Sequence, residues 1–348
     1  MRAKRSRSIR LIFTVVLALN GGEAVAAAEG SDVSGAPRPP PSDAIPAAPN
    51  VTNLMSAFWS FWKGSRGRSQ PEQIALLKEK LLAPNKEFYE KVTTIPSDKR
   101  LGEILKTLEP SIPALRRIDG EFKEQVPRGF ASFVAHFPDM DRTLPIYVGP
   151  SLFTSSGQSR DLDGRTIVFY GLDVVAVVLP DVTNHFPDIH HEMFHAYHWQ
   201  RNPEIAAASR EAFEKSRKAP MYYDLWSEGL ALYAVRQLDP EASLELVLSS
   251  KTLPVEGPPV LRRVAGELRE RMDGPNLDDV ADYFFFEPKR KDLPSRIAYF
   301  VGLKLVEEVG RGRTMEDLVQ LHGPELRSTV EEGLLTLESK QHEPLGVP

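Results

Sequence analysis

His190-His191-Glu192-Met193-Phe194-His195 decides how this chain is read, because it holds the pattern H-E-x-x-H. On an α-helix, positions 191 and 195 stand one turn apart, so both imidazoles leave one face and can reach a single ion. Glu192 is rotated by about 100° from His191, which suits a carboxylate that contacts an attacking water better than one that binds the metal. Thr183 or Asn184 as cap, Pro187 and Asp188 in the first turn, and Asn202-Pro203 as a stop give this helix its ends. A His pair at this spacing also occurs as an ordinary packed pair, so a third donor is needed to define a metal site.

Leu225-Trp226-Ser227-Glu228-Gly229-Leu230-Ala231-Leu232-Tyr233 offers that donor. The segment reads as part of a helix from Tyr222 to Leu238. Glu228 opens an otherwise apolar face, where a carboxylate is costly unless it is paired or bound to metal. Gly229 and Ala231 are small enough to let this helix approach the motif helix closely. His198, nearly on the face of His191, and Asp224 are the competing donors, whereas His190 points away by about 100°. A di-iron site would need a second E-x-x-H unit besides Glu192-x-x-His195, and none is visible.

H-E-x-x-H followed by W-x-E-G-x-A-x-Y resembles the gluzincin zinc metallopeptidases, the group that contains thermolysin-like and aminopeptidase-like enzymes. The likeness covers mainly residues 185–238. It implies a zincin-like core with an active-site helix and one Zn2+ ion held by His191, His195 and Glu228. It also implies Glu192 as general base and a peptide or protein as substrate. Three departures bear on specificity. The gap between His195 and Glu228 is longer than usual, and a helix from Pro203 to Lys218 fills the excess. Leu232 replaces the family's acidic residue one turn after the third ligand, and the G-x-M-E-N signature of the aminopeptidase branch is missing. These departures imply an endopeptidase-like or unusual peptidase rather than a standard aminopeptidase. Related peptidases present a Tyr or His from a downstream element to the developing oxyanion. Here the C-terminal helix opened by Ser295-Arg296 makes Tyr299 the first candidate and Arg296 the next, with Tyr222, Tyr223 and Tyr233 as alternatives; packing alone also accounts for such a Tyr. A zinc amidohydrolase acting on a cell-envelope component and a catalytically silent peptidase-fold binding module are the other functions compatible with these residues.

The rest of the chain narrows the setting. It has 348 residues, 41% hydrophobic and 26% charged, as in an ordinary globular protein. Its formal charge is −5, and beyond residues 1–28 it is more acidic still and has no basic tract, which argues against nucleic acid or an anionic membrane surface as partner. It has no cysteine, so any metal must be held by His and carboxylate. Residues 1–28 read as a secretory signal peptide: Arg2, Lys4, Arg5, Arg7 and Arg10 precede the apolar run Leu11 to Leu19, and Ala24-Val25-Ala26 and Ala26-Ala27-Ala28 follow. That run falls short of the roughly 20 residues a membrane span needs, so no stable insertion is expected after cleavage. The expected location is therefore the periplasm or the exterior.

Residues 29–52 are Pro- and Ala-rich and read as a disordered linker. Residues 53–141 read as a helical N-terminal subdomain, with helices from Pro71 and over 101–108, 112–122 and 125–137. The catalytic domain is placed at 142–345. It begins with three short strands at 144–149, 166–170 and 174–179, and a strand edge beside the motif helix could pair with an extended peptide. Helices, a small sheet and then the motif helix give an α+β, mainly helical fold. The run Phe284-Phe285-Phe286 reads as a cleft wall or as core. Nothing in the sequence fixes an oligomeric state.

Overall fold

Asp163 and Gly164 both take positive φ, 55° and 78°, which is the backbone of a tight two-residue hairpin turn. That turn closes the last pair of a four-stranded mixed sheet made of β1 (Asn50–Asn53), β2 (Pro145–Gly149), β3 (Gly157–Leu162) and β4 (Arg165–Gly171). The strand order is β1-β2-β4-β3, with β1, β2 and β4 parallel and β3 antiparallel to β4. Leu162 pairs with Arg165 across the turn. The computed structural model describes residues 49–213, 219–274, 277–286 and 288–340, so the signal segment and the linker up to residue 48 lie outside the described residues, as does the end of the helix expected at 203–218. Composition puts residues 50–52 in the linker, whereas with Asn53 they form β1, because their backbone groups find partners on the parallel edge of β2.

The helices are α1 (Met55–Ser65), α2 (Gln70–Leu77), α3 (Lys86–Val92), α4 (Asp98–Leu108), α5 (Ile112–His136), α6 (Leu172–Val178), α7 (Phe186–Arg201), α8 (Pro203–Phe213), α9 (Met221–Leu238), α10 (Leu244–Val247), α11 (Leu253–Arg271), α12 (Leu277–Phe284), α13 (Ile297–Val309), α14 (Met315–Val319) and α15 (Gly323–Ser339). The protein is α+β and mainly helical. Ser69 and Glu72 start α2 with a reciprocal capping box, and the Ser97 hydroxyl accepts the Arg100 amide to start α4. Two departures from the sequence reading have clear causes. The helices expected at 112–122 and 125–137 are one helix, α5, which passes through Pro127 and forgoes a single backbone bond there. The strand expected at 174–179 is α6: its apolar run has no period that separates strand from helix, and it buries Leu172, Val174, Val175 and Ala176 near the sheet and α5.

The described residues form one compact unit. The helices of residues 53–141 join the remainder through the β1–β2 pairing and through α5 packed on α6 and α7. The α5–α7 crossing is close at Gly129, where an added Cβ would come within 2.7 Å of Ile189. The α9–α13 crossing is closer still. A Cβ on Gly229 would lie 2.3 Å from the Gly302 carbonyl oxygen, and one on Gly302 would lie 2.8 Å from the Leu225 oxygen. Gly229 thus admits α13, not the motif helix α7 as the sequence suggested.

Two outcomes follow for stability. Gly229→Ala gains about 1 kcal/mol of helix propensity but drives two backbones apart, so we expect a net loss of about 2–3 kcal/mol in denaturant unfolding; an unchanged midpoint would contradict the crossing. On the surface of α11, burial pushes the Glu267 carboxyl up, but hydrogen bonds from Arg290, Tyr283 and Arg263 outweigh it and hold it at about 2. A carboxyl depressed from 4.5 in this way adds stability above pH 4.5 that disappears as pH falls towards 2. Glu267→Gln should therefore flatten the loss of stability over that interval by on the order of 2 kcal/mol, measured by urea unfolding at several pH values.

Candidate metal centre

The motif helix α7 is buried on most of its circumference, with Ile189, His190, Met193, Phe194, His195, Ala196, Tyr197, His198 and Trp199 all inside. Such a helix is held from several sides. The Asn184 side chain accepts the Phe186 amide at 3.1 Å, although His185 occupies the cap position itself. Tyr170 on β4 donates its hydroxyl to the Ile189 carbonyl at 2.8 Å, and Ser159 on β3 donates to the Glu192 carbonyl at 2.9 Å. His190 turns away from the site, as its rotation requires, and bridges Asp239 (2.6 Å) and the Gly129 carbonyl (3.2 Å). At the far end Asn202 donates to the carbonyls of Val319 and Leu321 and accepts the Ile205 amide, which stops α7 and starts α8.

On the remaining face three donors converge. His191 Nε2 and His195 Nε2 are 3.0 Å apart, and Glu228 Oε2 lies 3.2 Å from the first and 3.4 Å from the second. Among the described residues these three form the group able to hold a metal ion. The separations match the chemistry: donors around a tetrahedral ion with bonds of about 2.0–2.1 Å stand about 3.3 Å from one another. Without a cation, the two facing imidazole nitrogens can share one proton in a hydrogen bond, whereas the Glu228 carboxylate can only accept. Glu228 is strongly coupled to this pair. Burial pushes its carboxyl up, but the charges and hydrogen bonds of His195 and His191 prevail and hold it far below the ordinary carboxylate range.

The remaining ring nitrogen of His195 also has a partner. Ser227 Oγ is 3.2 Å from His195 Nδ1, so the residue preceding Glu228 orients the His195 ring. Leu232, which stands where the acidic residue was sought, is buried and apolar. His198 is buried without a hydrogen-bond partner and its pKa is pushed down to about 3, first by burial and then by His195, so it is a neutral packing residue. Glu228, and neither His198 nor Asp224, completes the cluster.

Glu192 stands beside the cluster and under β3. A Cβ on Gly157 would fall 2.6 Å from both Cγ and Oε1 of Glu192, so only glycine leaves the carboxylate its place. Burial raises the Glu192 pKa and outweighs the nearby imidazoles His191 and His195, which pull it down; Glu228 and Asp188 add to the rise. Tyr299 is in the same field. Burial raises its phenol pKa and Glu228 raises it further, which outweighs the charge and hydrogen bond of Arg296 that pull it down; Glu192 adds to the rise. Arg296, at the start of α13 with a positive φ of 57°, stacks its guanidinium 3.9 Å over Tyr299 and 4.9 Å over Phe286. Its Nη1 donates towards the Leu248 carbonyl at 3.3 Å. Tyr223 is engaged by Glu204 at 2.7 Å, and Tyr233 packs near Gly310, so neither competes with Tyr299 for the cluster.

The sequence reading missed Ser227, Ser159 and Gly157. Two of these lie on β3, whose polar residues do not look like a strand, although Asp163-Gly164 marked its hairpin. No family profile, curated protein or solved structure matches the chain.

Metal-stripped protein should take up one equivalent of Co2+ with the absorption of a tetrahedral site. His191→Ala, His195→Ala and Glu228→Ala should abolish it, and Ser227→Ala should weaken it by about tenfold. Uptake that survives loss of Glu228 would remove this carboxylate from the site.

Proposed function

We propose that the protein is an exported zinc metallopeptidase of gluzincin type that cleaves internal peptide bonds, with Zn2+ held by His191, His195 and Glu228 and with Glu192 as general base. The observation that carries this reading is the convergence of two imidazoles and a carboxylate at 3.0–3.4 Å with a second, raised-pKa carboxylate one residue from the first ligand. Two nitrogens and one oxygen, without thiolate, are the donor set of a hydrolytic zinc site that keeps a fourth position open.

A bound Zn2+ ion would lower the pKa of water towards about 7 and polarise the substrate carbonyl. Glu192 takes the proton from the attacking water and delivers it to the leaving amine. A carboxyl whose surroundings raise its pKa is suited to both halves of that transfer. The Tyr299 hydroxyl, kept protonated by burial and by the two glutamates, can donate a hydrogen bond where negative charge develops on the carbonyl oxygen. The stacked Arg296 fixes the plane of that ring.

The sheet supports one substrate class. β3 pairs with β4 along one side and is the last strand in the order, and it lies against α7 at the level of Glu192. An extended peptide added to its other side, which pairs with no strand among the described residues, would run near Glu192, which supports a polypeptide as substrate.

Cleavage of fluorescein-labelled unfolded casein should stop on chelation with 1,10-phenanthroline and return with one equivalent of Zn2+. Glu192→Gln should keep the metal and lose 10²–10⁴ in kcat, and Tyr299→Phe should lose about 10² in kcat with little change in KM. Full activity in Glu192→Gln, or cleavage indifferent to the chelator, would exclude this mechanism.

A further inference from the structure

The chain between β2 and β3, which leads into Gly157 beside Glu192, has an unusual conformation. Leu152 and Phe153, neither of them glycine, take φ of 60° and 59°, two consecutive residues in the left-handed region. Such backbone persists only where its surroundings over-determine it, and it concentrates at functional sites. Here the surroundings are a single buried carboxylate. Asp173, in the first turn of α6, accepts the Ser151 amide at 2.6 Å, the Ser151 hydroxyl at 3.0 Å and the Phe153 amide at 2.8 Å. Ser151 Oγ passes the restraint on by accepting the amides of Thr154 (3.2 Å) and Ser155 (3.3 Å). The Ser155 hydroxyl then bonds both the carbonyl and the amide of Gly157. Gly157 is the residue whose Cα faces Glu192.

The loop is pinned from outside as well. Tyr89 donates to the Pro150 carbonyl at 3.0 Å and Gln158 to the Val92 carbonyl at 3.0 Å, so α3 holds both ends. Gly171 lies against its inner side, with no room for a Cβ beside the Ser155 oxygen. The left-handed pair buries both Leu152 and Phe153. Every residue from 151 to 157 is therefore placed by a contact, and the chain of contacts runs from Asp173 to the catalytic carboxylate.

We propose that Asp173 is a positioning residue for the general base: its carboxylate clasps the 151–156 loop and thereby sets Gly157 against Glu192 in the orientation that proton transfer needs. The role rests on the reading of Glu192 as general base. A carboxylate that only stabilises α6 or the core would change the folded population and leave the turnover of folded, metal-loaded protein untouched.

The test is a cycle of Asp173→Asn, Gly157→Ala and the double variant in the full chain. Each is measured for metal content, for apparent kcat and KM on labelled unfolded casein, and for amide hydrogen exchange. Asp173→Asn should retain one Zn2+ and lose at least tenfold in kcat with KM within threefold, while exchange of residues 151–157 speeds up at least tenfold and that of α7 stays slow. Gly157→Ala should lose a similar factor in kcat with the loop still protected, because its Cβ displaces Glu192 directly. The double variant should be no more than threefold worse than the poorer single one, since both act on one carboxylate. Losses that multiply, a parental kcat in Asp173→Asn, or a loop that stays protected without Asp173 each overturn the proposal. Should Asp173→Asn fail to fold, Ser151→Ala, which breaks the relay and keeps the backbone bonds to Asp173, takes its place in the same cycle with the same criteria. A parent without activity overturns the hydrolase reading and this role with it, whereas an active parent with an indifferent Asp173→Asn overturns the clasp alone.

Discussion

Two imidazole nitrogens and a carboxylate oxygen held within 3.4 Å of one another are the interaction on which the surrounding structure depends. Such a cluster is unfavourable until a cation or protons fill it, so the scaffold must prevent the donors from relaxing apart. The two helices that carry it are restrained in different ways. Hydrogen bonds from two strands, a buried His190–Asp239 pair and the Asn202 side chain fix α7 along its length. Steric exclusion fixes α9: the contact of Gly229 with Gly302 lets it move no closer to α13, and that contact lies one residue beyond Glu228. The rigidity needed for three-point binding therefore comes from polar bonds on one side and glycine packing on the other.

The same glycine contact ties Glu228 to α13, the helix that carries Tyr299. Gly302 is on α13 three residues after Tyr299, nearly one turn along the same face, so the spacing that seats Glu228 also sets the distance at which the phenol stands. Arg296 fills the remaining freedom by covering the ring. Its left-handed φ is an ordinary cost at a functional terminus, and its guanidinium is anchored to the chain at Leu248, outside both helices.

How much of this was legible in the sequence depends on the range of the interactions involved. His191, Glu192 and His195 could be read because helical periodicity alone fixes their relation, and Glu228 because a carboxylate on an apolar helical face needs a partner. Tyr299 entered only through the likeness to gluzincin peptidases, because no local spacing relates it to the motif helix. β3 was not, because Gly157-Gln158-Ser159-Arg160-Asp161-Leu162 lacks the β-branched alternation of a half-buried strand; it is a strand because β4 supplies a register and because Gln158 and Ser159 spend their polar groups on α3 and α7. The Val174 to Leu179 run failed in the opposite sense, with β-branched residues on a buried helix. Gly157 was illegible in principle. Its role is to lack a side chain at a point where Glu192, far along the chain, requires the space.

Leu232 is then less of an anomaly than the sequence makes it. With a divalent ion, two neutral imidazoles, Glu228 and an ionised Glu192, the formal charges sum to zero. A further carboxylate at 232 would leave a net negative charge in surroundings that include Asp188 near Glu192, and burial would press one of the carboxylates to take up a proton. A hydroxyl from Ser227 supplies the orienting hydrogen bond to His195 Nδ1 without adding charge. On the proposed reading, a neutral partner would polarise the imidazole less than a carboxylate does, and would exchange some metal affinity for a site that carries no further negative charge beside Glu228 and Glu192.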